Sequence, residues 1–98
     1  DIIMTTKQRA YLKSLASTMD PIFQVGKGGA APELVNALDD ALEKRELIKI
    51  NVLNNCADDL RDIAEVIASR THSQVVQVIG RRIVLYRPSK KPQIQLPK

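Results

Sequence analysis

Tryptophan is absent from these 98 residues, and Tyr11, Phe23 and Tyr86 are the only aromatic side chains. So few rings exclude a surface that stacks a long run of bases on successive aromatic side chains as a main mode of recognition. Cys56 is the sole cysteine and His72 the sole histidine. One thiol cannot close an internal disulfide, which fits a reducing cytoplasm. One thiol and one imidazole also fall short of the ligand set of a zinc centre, and a Cys–His nucleophile pair would need a third, orienting group in a pocket. Cys56 therefore reads as a loop-edge packing residue and His72 as a surface residue after a helix. There is no P-loop, no G-x-S-x-G elbow and no dinucleotide fingerprint, so no enzyme, cofactor, metal or small-molecule substrate is expected. The longest tight apolar cluster, Ile83 to Tyr86, is far short of the roughly 18 residues of a membrane span. The opening Asp1-Ile2-Ile3-Met4 has no basic n-region or apolar h-region of a secretory signal. Met4 reads as the natural start, preceded by three residues from an expression vector.

What is present is ordinary for one globular domain: 44% hydrophobic and 27% charged residues, with a length that allows one modest core. The net charge of +4 is unevenly placed. Residues 1–49 carry seven charges of each sign, so the whole surplus lies in the second half. Residues 80–98 hold Arg81, Arg82, Arg87, Lys90, Lys91 and Lys98 without an acid. A segregated basic region points to a polyanionic partner.

The apolar spacing predicts three helices and four strands. Thr5-x-x-Gln8 has capping-box spacing, and Leu12, Leu15, Ala16 and Met19 form one stripe up to Asp20-Pro21, where proline disfavours a continued helix. Ile22–Val25 reads as a short strand. A second helix starts near Pro32, with Leu34, Leu38, Ala41 and Leu42 inward. Leu47–Leu53 alternates, Ile48, Ile50 and Val52 opposing Lys49 and Asn51: a half-buried strand. The third helix spans about Asp58 to Arg70, its apolar face formed by Leu60, Ile63, Ala64 and Ile67, and its first-turn acids complement the helix dipole. Val75–Ile79 and Arg82–Tyr86 flank Gly80-Arg81, a two-residue loop suited to a type II′ hairpin turn. The order α-β-α-β-α-β-β argues for right-handed parallel crossovers plus an antiparallel hairpin. The expected fold is a compact α/β sandwich on a four-stranded mixed sheet. Residues 5–87 form the domain, residues 1–4 precede it, and the basic, proline-containing residues 88–98 read as a disordered tail.

Three of the four glycines fall in Gly26-Lys27-Gly28-Gly29, between a strand end and a helix start. Free N–H groups and the positive dipole end favour phosphate at such a place. Ala31 before Pro32 is a poor cap and leaves those amides uncontested, while Lys27 adds a mobile cation. A tight structural connector would have the same composition, so the spacing alone does not decide between the two.

Thr6-Lys7-Gln8-Arg9-Ala10-Tyr11-Leu12 and Pro21-Ile22-Phe23-Gln24-Val25-Gly26-Lys27-Gly28-Gly29 resemble the CRM domain (chloroplast RNA splicing and ribosome maturation) in its stand-alone bacterial YhbY-like form. Glu46-Leu47-Ile48-Lys49-Ile50 and Gln77 to Arg87 continue the likeness, which covers Thr6 to Arg87. The resemblance implies an RNA-binding domain with a fold like the C-terminal domain of translation initiation factor three. It also implies association with precursors of the large ribosomal subunit. Its G-x-x-G loop is similar to that of KH domains, which clamps a short nucleotide stretch through the backbone.

Several cations join the loop as candidates for RNA contact. Arg9 and Lys13, four apart, project from one face of the first helix, with Lys7 near its start. Arg81 and Arg82 lie at the hairpin tip, where charge also keeps an edge soluble. The candidate RNA-binding set is thus Gly26, Lys27, Gly28, Gly29, Lys7, Arg9, Lys13, Arg81 and Arg82. Arg87, Lys90 and Lys91 would add non-specific attraction from a flexible tail. Asp39, Asp40 and Glu43 on the second helix, and Asp62 and Glu65 on the third, read as solvated outer faces that repel RNA. Asp40–Lys44 and Arg61–Glu65 have the spacing of simple i, i+4 pairs. Two functions follow. One is a monomeric, cytoplasmic, non-catalytic protein that binds ribosomal RNA in a large-subunit precursor. The other is a protein-interaction adaptor whose sheet or tail docks on a ribosomal protein or assembly factor.

Overall fold

The computed structural model describes residues 4–54 and 59–94. Its elements run α1 (Thr6–Ala16), β1 (Phe23–Val25), α2 (Pro32–Arg45), β2 (Leu47–Val52), α3 (Leu60–Thr71), β3 (Gln74–Ile79) and β4 (Arg82–Tyr86). The expectations for Cys56 and Asp58 lie outside the described residues.

Local chemistry sets most boundaries. The Gln8 N–H donates to Thr5 Oγ1 at 3.1 Å while the Thr5 N–H donates to Gln8 Oε1 at 3.1 Å, closing the reciprocal cap. The helix ends earlier than Asp20-Pro21, because Ser17 caps it: its hydroxyl donates to Ser14 O at 2.7 Å. Met19 therefore reaches the core from the connection rather than from the helix. At α3 the capping residue is Asp59, whose carboxylate accepts from the Arg61 and Asp62 N–H groups. His72 ends that helix, exposed and in the left-handed conformation. At the hairpin tip Gly80 has φ +58° and Arg81 does not share a positive φ, the pattern of a type II′ rather than a type I′ turn.

The α/β sandwich is a four-stranded mixed sheet in the order β1-β2-β4-β3. β1 lies parallel to β2, and β4 is antiparallel to both β2 and β3. The hairpin thus contributes its second strand to the sheet centre, leaving β1 and β3 as edges. One face packs on α2 and α3 through Val25, Ile48, Ile50, Val52, Ile83 and Leu85. The other packs on α1 through Leu47, Val76, Val84 and Tyr86 around Leu12 and Ala16. β2 is therefore covered on both faces at its start and half-open only toward its end. Leu12 is fully buried; truncating a core leucine of this kind to alanine costs about 2–5 kcal/mol.

Two side chains tie distant segments together. Arg87 donates to Thr71 O at 2.7 Å and to Asp39 O at 3.1 Å, pairs with the Asp39 carboxylate and stands 3.6 Å from Glu43. It is a bolt between α2 and α3, not a cation of a flexible tail. Asp39 and Glu43 are correspondingly not idle solvated charges. Among the described residues the ion pairs are both Arg87's, so Asp40–Lys44 and Arg61–Glu65 are not closed. Glu46 is buried with φ +66° at the C-terminus of α2. Its carboxylate accepts from the backbone N–H groups of Ser89, Gln93 and Ile94 at 3.0, 2.6 and 2.9 Å. The disorder expected from residue 88 onward does not describe residues 88–94. They wrap a carboxylate that composition could not reveal, and Ile94 packs against the α1 cluster.

Candidate nucleic-acid interface

The parallel β1–β2 pair and the antiparallel β4 bring three chain turns to one end of the sheet. The Leu53 N–H donates to Val25 O at 2.8 Å, so the chain leaving β2 lies against the start of the glycine loop. Arg81 reaches over from the hairpin: its Nε donates to Val52 O at 2.8 Å and its Nη2 to Leu53 O at 2.7 Å. The Val52 N–H returns a bond to Arg81 O at 2.7 Å. Gly26–Gly29, residues 53–54 and the Gly80-Arg81 tip are thereby fixed as neighbours.

Within the loop, the Gly29 N–H donates to Gly26 O at 3.0 Å, closing a turn with Lys27 and Gly28 at its centre. Gly29 is buried with φ +61°, a conformation that favours glycine. Gly28 is different: its φ is not positive, and a Cβ placed there would meet nothing within 4 Å. The fold does not need a glycine at that position. Lys27 is exposed and makes no hydrogen bond or ion pair among the described residues. The Lys27, Gly28 and Ala30 N–H groups likewise have no partner among them, whereas the Ala31 N–H donates to Gly29 O at 2.9 Å. Ala31 caps α2 without a side-chain bond, as expected, but Glu33 stands in the first turn. An acid there already complements the dipole. The positive end of α2 is therefore already partly balanced by the chain itself. From α3, Arg70 donates to Ala30 O at 3.1 Å and holds the loop's exit.

The remaining candidates divide. Lys13 is exposed on α1 and lies alongside Gln77–Ile79, the part of β3 that leads to the hairpin tip. Arg82 is exposed, without a side-chain partner among the described residues, next to the tip. Arg81 belongs to the site but is engaged in holding it together. Arg9 is half-buried and donates to Val75 O at 2.6 Å and Val76 O at 2.9 Å. Those carbonyls flank the register shift of β3 between Val75 and Gln77, so Arg9 satisfies a β-bulge. Lys7 occupies the first turn of α1, whose preceding Met4 packs with Tyr86 at the opposite end of the sheet. The structure thus gathers Gly26–Gly29, Arg81 and Arg82, with Lys13 alongside, and leaves Arg9 and Lys7 elsewhere. Arg70 was not among the sequence candidates; its contact with Ala30 spans 40 residues and carries no local signal.

Among the described residues no group of three or more His, Cys, Asp or Glu is placed to hold a metal ion, and no helix is long and apolar enough to cross a membrane. Comparison with known proteins gives the chain's relatives. The chain is 49% identical over 96 residues to probable RNA-binding protein YqeI of Bacillus subtilis, covering 97% of this chain and all of that one. It is 36% identical over 95 residues to an RNA-binding protein of Haemophilus influenzae, covering 97% and 96% of the two chains. The solution structure of SAV1595 from Staphylococcus aureus superposes with a TM-score of 0.83 at 51% identity, over 97% of this chain and all of that one. Residues 4–87 match the CRS1 / YhbY (CRM) domain model, and the chain belongs to that family.

Proposed function

We propose that the chain is a non-catalytic RNA-binding protein that grips a sugar–phosphate backbone at the Gly26–Gly29 turn. Its target is ribosomal RNA in a large-subunit precursor, and it assists assembly of that particle as a cytoplasmic monomer. The observation that carries the reading is Gly28: neither its conformation nor its surroundings require glycine. A missing side chain there serves an approach from outside, by another backbone. Beside it stand the exposed Lys27 ammonium and the Lys27, Gly28 and Ala30 N–H groups, all without a partner among the described residues, and the exposed Arg82. Phosphate contacts of this kind position a nucleic acid and supply most of its affinity. The relatives named for RNA binding support the same class of partner.

The test exploits the freedom at Gly28. Lys27→Asp with Gly28→Asp places two carboxylates in the turn without strain or clash, so the fold should persist by circular dichroism. Binding to protein-free ribosomal RNA at low salt should weaken at least tenfold. A folded double variant with wild-type affinity would overturn the loop as the grip. Absence of RNA binding by the wild type, with ribosome association retained, would instead favour the protein-docking function.

A further inference from the structure

Resting on the RNA-binding reading, a second surface beside the loop has a distinct chemistry. Side chains alternate across a sheet, so neighbours of core residues face the other way. Phe23 and Val25 pack toward α2 and α3 and turn Gln24 to the α1 face; Ile50 and Val52 do the same for Asn51, and Ile83 for Arg82. The register then aligns them, since Gln24 pairs with Asn51, Asn51 with Arg82, and Arg82 with Ile79. They form one row across all four strands at the loop end of the sheet. α1 crosses lower down, over Leu47, Val76, Val84 and Tyr86, and leaves the row accessible: Gln24 and Arg82 are exposed, Ile79 is 58% exposed and Asn51 between them is half-buried.

The Gln24 and Asn51 carboxamides and the Arg82 guanidinium have no hydrogen-bond partner among the described residues. No carboxylate stands in the row. Adjacent strands are roughly 4.8 Å apart, so the row is about 14 Å long, the reach of two or three splayed nucleotides. It begins two residues before Gly26 and ends beside the Gly80-Arg81 tip, continuous with the turn that would hold the backbone. A protein-docking face would have an apolar or aromatic centre, whereas Ile79 at the edge is the row's only apolar side chain.

We infer that this row reads the bases of a single-stranded RNA segment whose backbone is held at the loop, and that it prefers adenine. A carboxamide presents one donor and one acceptor side by side, which match adenine N6 and N7. In single strands those edges are open to a protein. With no ring on the row, selection falls to hydrogen bonds rather than stacking. The loop and its cations supply affinity; Gln24 and Asn51 supply base identity.

The experiment compares ten-nucleotide oligoadenylate, oligocytidylate and oligouridylate on the full chain at one salt concentration. The wild type should bind the adenylate roughly five- to tenfold more tightly, the scale of one good carboxamide–adenine pair. Gln24→Ala with Asn51→Ala should reduce that preference to within about twofold, leaving affinity for the other two oligomers and its salt dependence unchanged. Gln24→Ala alone, at an exposed edge position, should lower it partly and guards against misfolding of the double variant. Equal binding of all three oligomers by the wild type would overturn base reading while leaving the grip intact. An unchanged preference in the folded double variant would do the same. A double variant that keeps its RNA profile but loses association with a ribosomal protein would assign the row to a protein instead. Loss of all RNA binding in the wild type would overturn the grip as well.

Discussion

Glu46 concentrates three costs at a single position. It is a buried acid, it has a positive φ without being glycine, and its carboxylate is surrounded by backbone amides. Burial pushes its carboxyl up, yet the three N–H groups outweigh that and hold it below its ordinary value. Because the folded pKa is lowered, Glu46 stabilises the fold above its unfolded value of 4.5, and this contribution is lost as acid protonates it. Tyr86 moves the other way: burial, then the Glu46 charge, raises its phenol above 10.0. That contribution is present below the unfolded value and lost as pH rises through the folded one. Glu46→Gln turns an amide N–H toward the Ser89 N–H or the Gln93 and Ile94 pair. It should cost about 1–3 kcal/mol in urea unfolding near neutral pH and release residues 89–94 to tryptic cleavage after Lys90, the bond after Lys91 being protected by Pro92. In a Tyr11→Phe background, where Tyr86 is the only tyrosine, its phenolate absorbance should then appear at lower pH. A titration curve unmoved by Glu46→Gln would show that the two groups do not sense each other.

At the scale of elements, two arginines of similar appearance in sequence have opposite roles. Arg9 locks α1 onto the bulge of β3, while Arg82 is exposed on a central strand, its side chain without a partner among the described residues. Arg9→Met keeps the aliphatic stem but leaves the Val75 and Val76 carbonyls without their donor, at a cost of about 1–3 kcal/mol. Its effect should appear in the denaturation midpoint and not in the salt dependence of RNA binding. Arg82→Ala should do the reverse, lowering the salt slope by roughly one unit or less. Both measurements on both variants decide whether the division holds. The Thr5 capping box, the Pro32 start of α2 and the Gly80-Arg81 turn were legible because their signals lie within a few residues. Arg9 and the bulge, Arg87 and Asp39, and Glu46 and the tail are separated by 66, 48 and up to 48 residues. No local pattern marks such a tie. The doubled Val75-Val76 before Gln77 interrupts the strand's alternation, but so does Val78-Ile79, where no register shift occurs. The helical spacing of Arg9 and Lys13 marks a surface face, and nothing near Arg9 in the sequence points to its partners 66 and 67 residues away.

For the whole molecule, the arrangement of charge matters more than the net +4. Arg9, Arg81 and Arg87 are engaged with the protein's own oxygens, and Lys7 sits at the far end of α1. Lys13, Lys27 and Arg82 are exposed at or beside the loop end and have no ion-pair partner among the described residues. The α2 acids Asp39 and Glu43 are drawn toward Arg87 on the α2–α3 side of the sheet, behind the face that carries Gln24, Asn51 and Arg82. Single-stranded nucleic acid releases about 0.7 counterion per neutralised phosphate. Three free cations therefore predict a slope of log affinity against log salt near −2 for single-stranded RNA. Six contacts, with Arg9, Arg81 and Lys7 included, would bring the slope to about −4. A titration between low and physiological salt separates these values easily. A slope near −4 would mean that RNA displaces arginines from the carbonyls they hold here, so that the site rearranges on binding. A slope near −2 would mean that it binds as built.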